Sequence, residues 1–499
     1  MHQGMMKTSG RERAALMNAS TLLSALQWAE STFGSVRLGD QRRTERAVEI
    51  ASAIAHNPAA SLPEQMQDEA ATEAAYRFLQ MPNVSYEKLI GPHVAQTRAQ
   101  ASEQRQVLLI QDTTEVDYQQ HPTTTGLGPI GNGTHHGYLL QSVLAVVSES
   151  REVLGLMHQE PFLRQPAPQG ETRREREQRE RESQVWERSV QAIGAPPAGV
   201  QWIHVGDRYS DMFSFLWLCR QQQCDFVVRA AQDRCVERLL EQADAPVPPR
   251  SHHRRRAGQE AEAQPQHLFE VVRGWSAVGE QELHLDATKQ SQARVARLMI
   301  SCGCLRLLPP QKQPSSELRP LVVWVVRVWE PEPPEGVEGL EWILLTSVPT
   351  TTVEQAWQRV DWYRARWIVE DYHQGLKTGC SIELRQLQSY EALRRLLGLL
   401  APAAVRLLQL RAVARDAPER LASEILPLDL VQVVALLAKV PVPAAELTAQ
   451  QCWYTIARYG GYLRRRSNGP PGWKTLWKGW FYIQTLLEGV HLATRLSLD

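Results

Sequence analysis

No stretch of this 499-residue chain runs for 18 apolar residues. No single helix of it is therefore expected to span a bilayer core. No apolar signal core follows the opening MHQGMMKTSGRERAA, so the expected location is cytoplasmic. Cysteine is scarce. The seven, at 219, 224, 235, 302, 304, 380 and 452, are odd in number and irregular in spacing, which argues against a secreted disulfide scaffold. Cys302-Gly-Cys304 lacks a second nearby pair to complete a zinc site. Net charge is missing too: 55 basic side chains balance 55 acidic ones. The chain as a whole is not the polycation that phosphate binding favours.

The positive charge that is present is clustered. Residues 458–478, RYGGYLRRRSNGPPGWKTLWK, hold six basic residues and no acid. Residues 250–256, RSHHRRR, are basic, and RLGDQRRTER at 37–46 sets four arginines against two acids. With 15 tryptophans and 12 tyrosines, such patches suit DNA or another acidic partner. The length implies two to four domains.

Local patterns divide the chain. Residues 1–100 read as a helical domain, with helix-period segments at Ser20–Thr32 and Arg43–His56 and a capping Ser85 before another helix. From 101 to 235 strands alternate with helices: VLLIQD, LLQSVLAVV, EVLGLMHQEPF, WIHVGD and DFVVRA are strands. Residues 236–350, including VRGWSAVGEQELHLDA, QARVARLMISCG, LRPLVVWVVRVWE and EWILLTS, read as a mostly β insertion. Helices return over 351–390 and 391–499. The fold class is α/β.

Three acids stand out. Asp112 closes VLLIQD and Asp207 closes WIHVGD; strand ends hold carboxylates rigidly at common sites of chemistry. The third is Glu370, in WYRARWIVEDYHQGLKTG. There Trp362, Ala365, Val369, Tyr372 and Leu376 recur at helix spacing as a stripe to be buried. Tyr363, Arg366, Glu370, His373 and Lys377 repeat the spacing one residue later, at the stripe's edge. A carboxylate between strong cations suits a metal ligand among phosphate contacts. It also suits a plain i,i+4 ion pair of Arg366 with Glu370 on an exposed face. Three carboxylates without cysteine or paired histidine favour Mg²⁺ or Mn²⁺.

These residues resemble a known family. The aspartate of QDTTEVDY, the aspartate of GDRYSDMF and the Y-x2-R-x3-E-x6-K of Tyr363, Arg366, Glu370 and Lys377 look like the DDE transposases of the IS4 family, particularly its Tn5-type members. LGDQRRTERAVEIA, AAYRFLQMPNVS, EWILLTSVP, IARYGGYL and WKTLWKGW extend the likeness over nearly the whole chain. The resemblance implies an RNase H-like catalytic core with a β insertion, flanked by an N-terminal end-DNA-binding domain and a C-terminal region for dimerisation. It implies Asp112, Asp207 and Glu370 as ligands of two Mg²⁺ ions, for which Mn²⁺ can substitute. Tyr363, Arg366 and Lys377 become DNA contacts. Trp342 becomes the ring that stacks near a flipped base, and Arg229 supports the hairpin-proximal strand. Arg37, Arg42, Arg43 and Arg46 fall where the N-terminal domain meets end DNA. The chain departs from the Tn5-type pattern at 440–451, VPVPAAELTAQQ, which is not basic.

The implied activity is cut-and-paste DNA transposition in a bacterial, nucleoid-associated setting. Hydrolysis at a transposon end frees a 3′-hydroxyl, a hairpin forms and reopens, and the ends join to target DNA. The implied partners are double-stranded end and target DNA and a second copy of the chain, with no membrane. Two other functions use the same residues: a nuclease that only hydrolyses, and a silent DNA-binding derivative that blocks transposition by mixed dimer formation.

Overall fold

The structure, a computed structural model, describes residues 24–165, 168, 170–172, 181–238, 266–285, 293–310, 318–416, 418–424, 426–438, 442–463 and 471–496. The basic run 250–256 and Arg464, Arg465 and Arg466 of the second basic cluster lie outside the described residues.

In chain order the helices α1 (Ala25–Phe33), α2 (Gln41–His56), α3 (Leu62–Met66), α4 (Glu69–Gln80) and α5 (Tyr86–Ser102) come first. Strands β1 (Gln106–Asp117), β2 (Gly128–Ile130), β3 (His135–Val147) and β4 (Val153–Phe162) follow. Then come α6 (Val185–Ile193), β5 (Gln201–Gly206), α7 (Phe213–Gln221), β6 (Asp225–Arg229), β7 (Cys235–Arg238) and β8 (Gln266–His267). The middle closes with α8 (Leu268–Arg273), β9 (Gly279–Leu285), β10 (Arg294–Leu307), β11 (Leu321–Trp329) and β12 (Glu341–Thr346). Helices α9 (Val353–Arg364), α10 (Trp367–Gln374), α11 (Tyr390–Asp416), α12 (Leu428–Leu437), α13 (Ala449–Tyr459) and α14 (Trp473–Leu496) complete the chain. Strands thus occupy the middle of the sequence, between helical N- and C-terminal regions. Among the described residues no helix is long and apolar enough to cross a membrane.

The chain forms two compact units, each built from separate stretches. The first takes residues 1–104, 113–178 and 368–499. Its helices begin where the sequence signals them. Ser24 caps α1 in a capping box with Gln27, and the Ser85 hydroxyl accepts from the Lys88 amide at the start of α5. The long helix α11 packs against α2, α4 and α5, and α14 against α12 and α13.

The second unit takes residues 105–112 and 179–367. Here β1 pairs parallel with β5, and β5 parallel with β6. Strand β12 then pairs antiparallel with β6, setting Leu344 opposite Arg229. Strands β11 and β10 follow, also antiparallel. The strands of the 236–350 segment therefore continue the mixed sheet of the preceding βα units, and β12 satisfies backbone groups that an edge at β6 would expose. Helix α9 packs on β5, β6, β10, β11 and β12.

Two local expectations change. Val272 and Arg273, which open VRGWSAVGEQELHLDA, end α8 rather than belonging to a strand, because Leu268, Val271 and Val272 are buried on that helix. Strand β1 also runs past Asp112 to Asp117, although its pairing with β5 ends at Ile110.

Three histidines are buried without being charged. Burial pushes His93 down to about 4 and His204 to about 3; burial, helped by Lys377, pushes His373 to about 3. The His93 Nε2 accepts from the Leu156 amide at 3.1 Å, which requires a neutral ring. An unfolded histidine titrates near 6.5. Below that pH the unfolded chain binds more protons than the fold, so stability present at pH 7 falls as pH drops toward 4. Each histidine should contribute about 1.4 kcal/mol per pH unit within that window. Urea denaturation at pH 7, 6 and 5 checks this; a midpoint that does not fall would count against neutral burial.

Candidate active site

Two adjacent strands of the second unit set the geometry. On β1 and β5, Leu109 lies opposite His204 and Ile110 opposite Val205. Asp112 and Asp207 each come two residues after that last pair, Asp112 on the continuing β1 and Asp207 in the turn just beyond β5. The backbone beneath them is fully buried: Ile110, Gln111, His204 and Val205 have no exposure. Gln111 Nε2 lies 3.0 Å from His204 Nδ1. Because the ring is held neutral, Nδ1 accepts from the amide and Nε2 carries the proton.

The loop after β5 is fixed as tightly. The Asp207 carboxylate accepts from the Tyr209 amide at 2.8 Å, and its carbonyl from the Ser210 hydroxyl at 2.7 Å. A side chain in place of Gly206 would lie 2.2 Å from Ser210 Oγ, so only glycine fits before Asp207. Asp211, with a side chain of no exposure, accepts from the amides of Ala231 and Gln232 and from Arg234 Nη2. The loop that bears Asp207 is thereby tied to the residues following β6.

The helix expected across WYRARWIVEDYHQGLKTG is interrupted. Helix α9 ends at Arg364, a turn takes Ala365 and Arg366, α10 spans Trp367–Gln374, and Gly375–Gly379 winds as a π-helical turn. The apolar stripe survives the interruption: Trp362, Ala365, Val369, Tyr372 and Leu376 are all buried. At the turn, Arg366 Nη1 donates to Asp112 Oδ2 at 3.1 Å. Its guanidinium lies 4.7 Å from the centre of the Trp367 ring, which is 58% exposed.

Tyr363 is 5% exposed. Burial raises its phenol, the positive charges of Arg366 and Arg229 oppose that shift, and the negative charge of Asp207 adds to it. Four of the residues singled out in the sequence thus act on one another. Burial pushes the Arg229 guanidinium down, and the neighbouring Tyr363 counters this. Arg229 Nη2 also donates to the Glu341 carbonyl at 3.0 Å. Trp342 meets Tyr363 edge-on with ring centroids 5.8 Å apart.

Glu370 and Lys377 belong to the first unit. Glu370 is half-buried on α10. Lys377 lies in the π-helical turn, its Nζ 3.3 Å from Glu383 Oε1. Among the described residues, no three acidic, histidine or cysteine side chains are grouped to hold a metal ion. Asp112 and Asp207 offer only carboxylate donors, the kind that a divalent cation preferring oxygen takes.

The N-terminal arginines divide. Arg37 and Arg42 are exposed. Arg43 Nη1 donates to the Leu38 carbonyl at 2.8 Å, holding the entry to α2, and Arg46 pairs with Glu49 at 2.7 Å.

Residues 25–84, which cover α1 to α4, match the transposase DNA-binding family. Residues 402–498 match the Tn5 transposase dimerisation domain. Two separate stretches of the chain are thus similar to transposase domains. The exposed Arg37 and Arg42 lie within the stretch that matches the DNA-binding family. The dimerisation domain takes in most of α11 and all of α12, α13 and α14. Its Trp453, Trp477 and Trp480 pack edge to face, while Leu428 and Leu436 are 57% and 87% exposed.

Two exposed aromatics beside the paired aspartates escaped the sequence reading: Trp367, next to Arg366, and Tyr209, two residues after Asp207. The available signal was position alone, an aromatic immediately beside a residue already singled out.

Proposed function

We propose that the chain is a DDE transposase that cleaves and joins DNA at transposon ends. The observation that carries this reading is that Asp112 and Asp207 each follow two residues after the last pair of two parallel strands, with Arg366 bonded to Asp112. The mixed sheet with α9 across it is read as the RNase H-like core, and Glu370 as the third carboxylate. When bound at these carboxylates, two Mg²⁺ ions, or Mn²⁺ in their place, supply activation of the attacking oxygen and stabilisation of the leaving one.

The chain's own residues bind and orient the DNA. Arg366 lies where a guanidinium can grip a phosphate with two nitrogens, and Lys377 offers a point charge. Tyr363 can donate a hydrogen bond to a phosphate oxygen, and Arg229 supports the strand near the bend. Arg37 and Arg42 present cations to end DNA. The exposed leucines of α12 support self-association as a homodimer that holds two ends.

Incubating the protein with paired end sequences and Mg²⁺, and resolving the strands on a denaturing gel, tests the reading. Nicks, hairpins and joined products are expected. Nicks alone would leave a hydrolytic nuclease, and DNA binding without cleavage a silent derivative.

Trp342 gives a sharper prediction. Its edge-on contact with Tyr363 supports a stacking role, and Trp342→Ala should leave the first nick nearly intact. Hairpin formation should slow about 5- to 150-fold, because the flipped base loses a stacking partner worth about 1 to 3 kcal/mol. A time course on intact and pre-nicked end DNA, with a thermal melt, reads the difference. Equal slowing of both steps would return Trp342 to a packing role.

A further inference from the structure

We propose that Tyr209 is a stacking platform for a nucleobase beside the phosphate that is cut. This inference rests on the DNA-cleaving reading above and adds a contact to it. Tyr209 is 80% exposed, well above Trp367 at 58% and Phe481 at 45%. A tyrosine normally buries much of its ring, so a ring held out in water is informative when its backbone is rigid. That backbone is rigid. The Tyr209 amide is bonded to Asp207 Oδ1, the next residue Ser210 is buried and bonded to the Asp207 carbonyl, and Asp211 is anchored by two amides and Arg234. Among the described residues no ring lies against Tyr209. The side chain is the free part of an otherwise fixed turn, two residues from a carboxylate.

The chemistry of the turn selects the partner. Arg208, exposed beside Tyr209, carries a charge that acts on Arg229, so the turn lies on the side where Arg229 and Tyr363 meet. A cation with an adjacent exposed ring matches one nucleotide, phosphate to arginine and base to ring. Stacking tolerates any base, so this contact would grip DNA without reading its sequence. The fixed backbone also limits the freedom lost on binding.

The test uses the full-length protein on paired end DNA with Mg²⁺. Tyr209→Phe keeps the ring and should cleave within about twofold of the parent. Tyr209→Ala should slow cleavage about 5- to 150-fold with an unchanged melting temperature, since the side chain is exposed. Substrates with a single abasic site, moved one nucleotide at a time across the cut, locate the partner. At one position the alanine variant should lose no more than the parent does. An alanine variant that matches the parent, or one whose penalty is the same on every abasic substrate, overturns the proposal. If the parent itself leaves the DNA uncut, the cleavage reading falls. Gel-shift affinities of the phenylalanine and alanine variants for the same DNA then judge Tyr209 separately: equal affinities overturn the platform, and weaker binding by alanine alone upholds it as a DNA contact.

Discussion

Asp112→Asn and Asp207→Asn should each reduce strand cleavage by at least about a thousandfold, equivalent to about 4 kcal/mol of transition-state stabilisation, while end DNA is still bound. Asparagine is nearly isosteric with aspartate, so β1 and the turn after β5 should keep their shape. What is lost is a negative oxygen at one of two positions that each follow the last pair of a parallel ladder. The Asp112 substitution also weakens the bond to Arg366, so its rate is expected to fall at least as far as that of the Asp207 variant. Glu370→Gln should behave like the aspartate variants if it supplies the third carboxylate. The comparison is a nicking assay in Mg²⁺ beside a gel shift. Cleavage at the parental rate by any one of the three would remove that residue from the catalytic set. Loss of binding together with cleavage would point to a DNA contact instead.

Asp211→Ala should be the most damaging single change to stability in the second unit. The carboxylate is wholly buried and meets two backbone amides and Arg234, whose side chain is 11% exposed. Alanine leaves both amides without their acceptor and leaves the guanidinium only the carbonyl of residue 211 in place of a buried carboxylate. Breaking a buried pair from one side costs about 3 to 5 kcal/mol. Denaturant unfolding followed by tryptophan fluorescence should register this, and a loss below about 1 kcal/mol would show that water replaces the carboxylate. Cleavage should weaken too, because Asp211 anchors the turn bearing Asp207. Asp211→Asn keeps an acceptor and should recover part of both losses.

Much of this was legible in the sequence, but unevenly. The stripe from Trp362 to Leu376 is buried throughout, since periodicity reports which face is packed. It did not show the turn at Ala365–Arg366, where neither glycine nor proline marks a break. The apolar run VLLIQD ends at Asp112, and Thr113, Thr114 and Glu115 beyond it are polar. Those residues are only half-buried, so the strand continues without an apolar run. In α8, Val271 and Val272 favour strand locally, and burial against their surroundings overrides that preference. The bond between Arg366 and Asp112 joins residues 254 apart in sequence, and no local pattern encodes such a pairing. The acids could be noticed from their places at strand ends, whereas their individual roles came from likeness to a family.

The π-helical turn at Gly375–Gly379 has a consequence for how the chain tolerates change in length. A π turn holds one residue more than the α turn it replaces. If the same five residues wound as ordinary α-helix, everything beyond would advance by about 100° in phase, and Lys377 would no longer face Glu383 as it does now. Removing one residue as α winding resumes would instead leave the phase beyond it unchanged. Gly379 allows the existing phase, because a side chain there would press on Leu407 and Trp477. A one-residue deletion within Gly375–Gly379 should therefore be better tolerated than one within α10 itself, where the phase of all that follows would change.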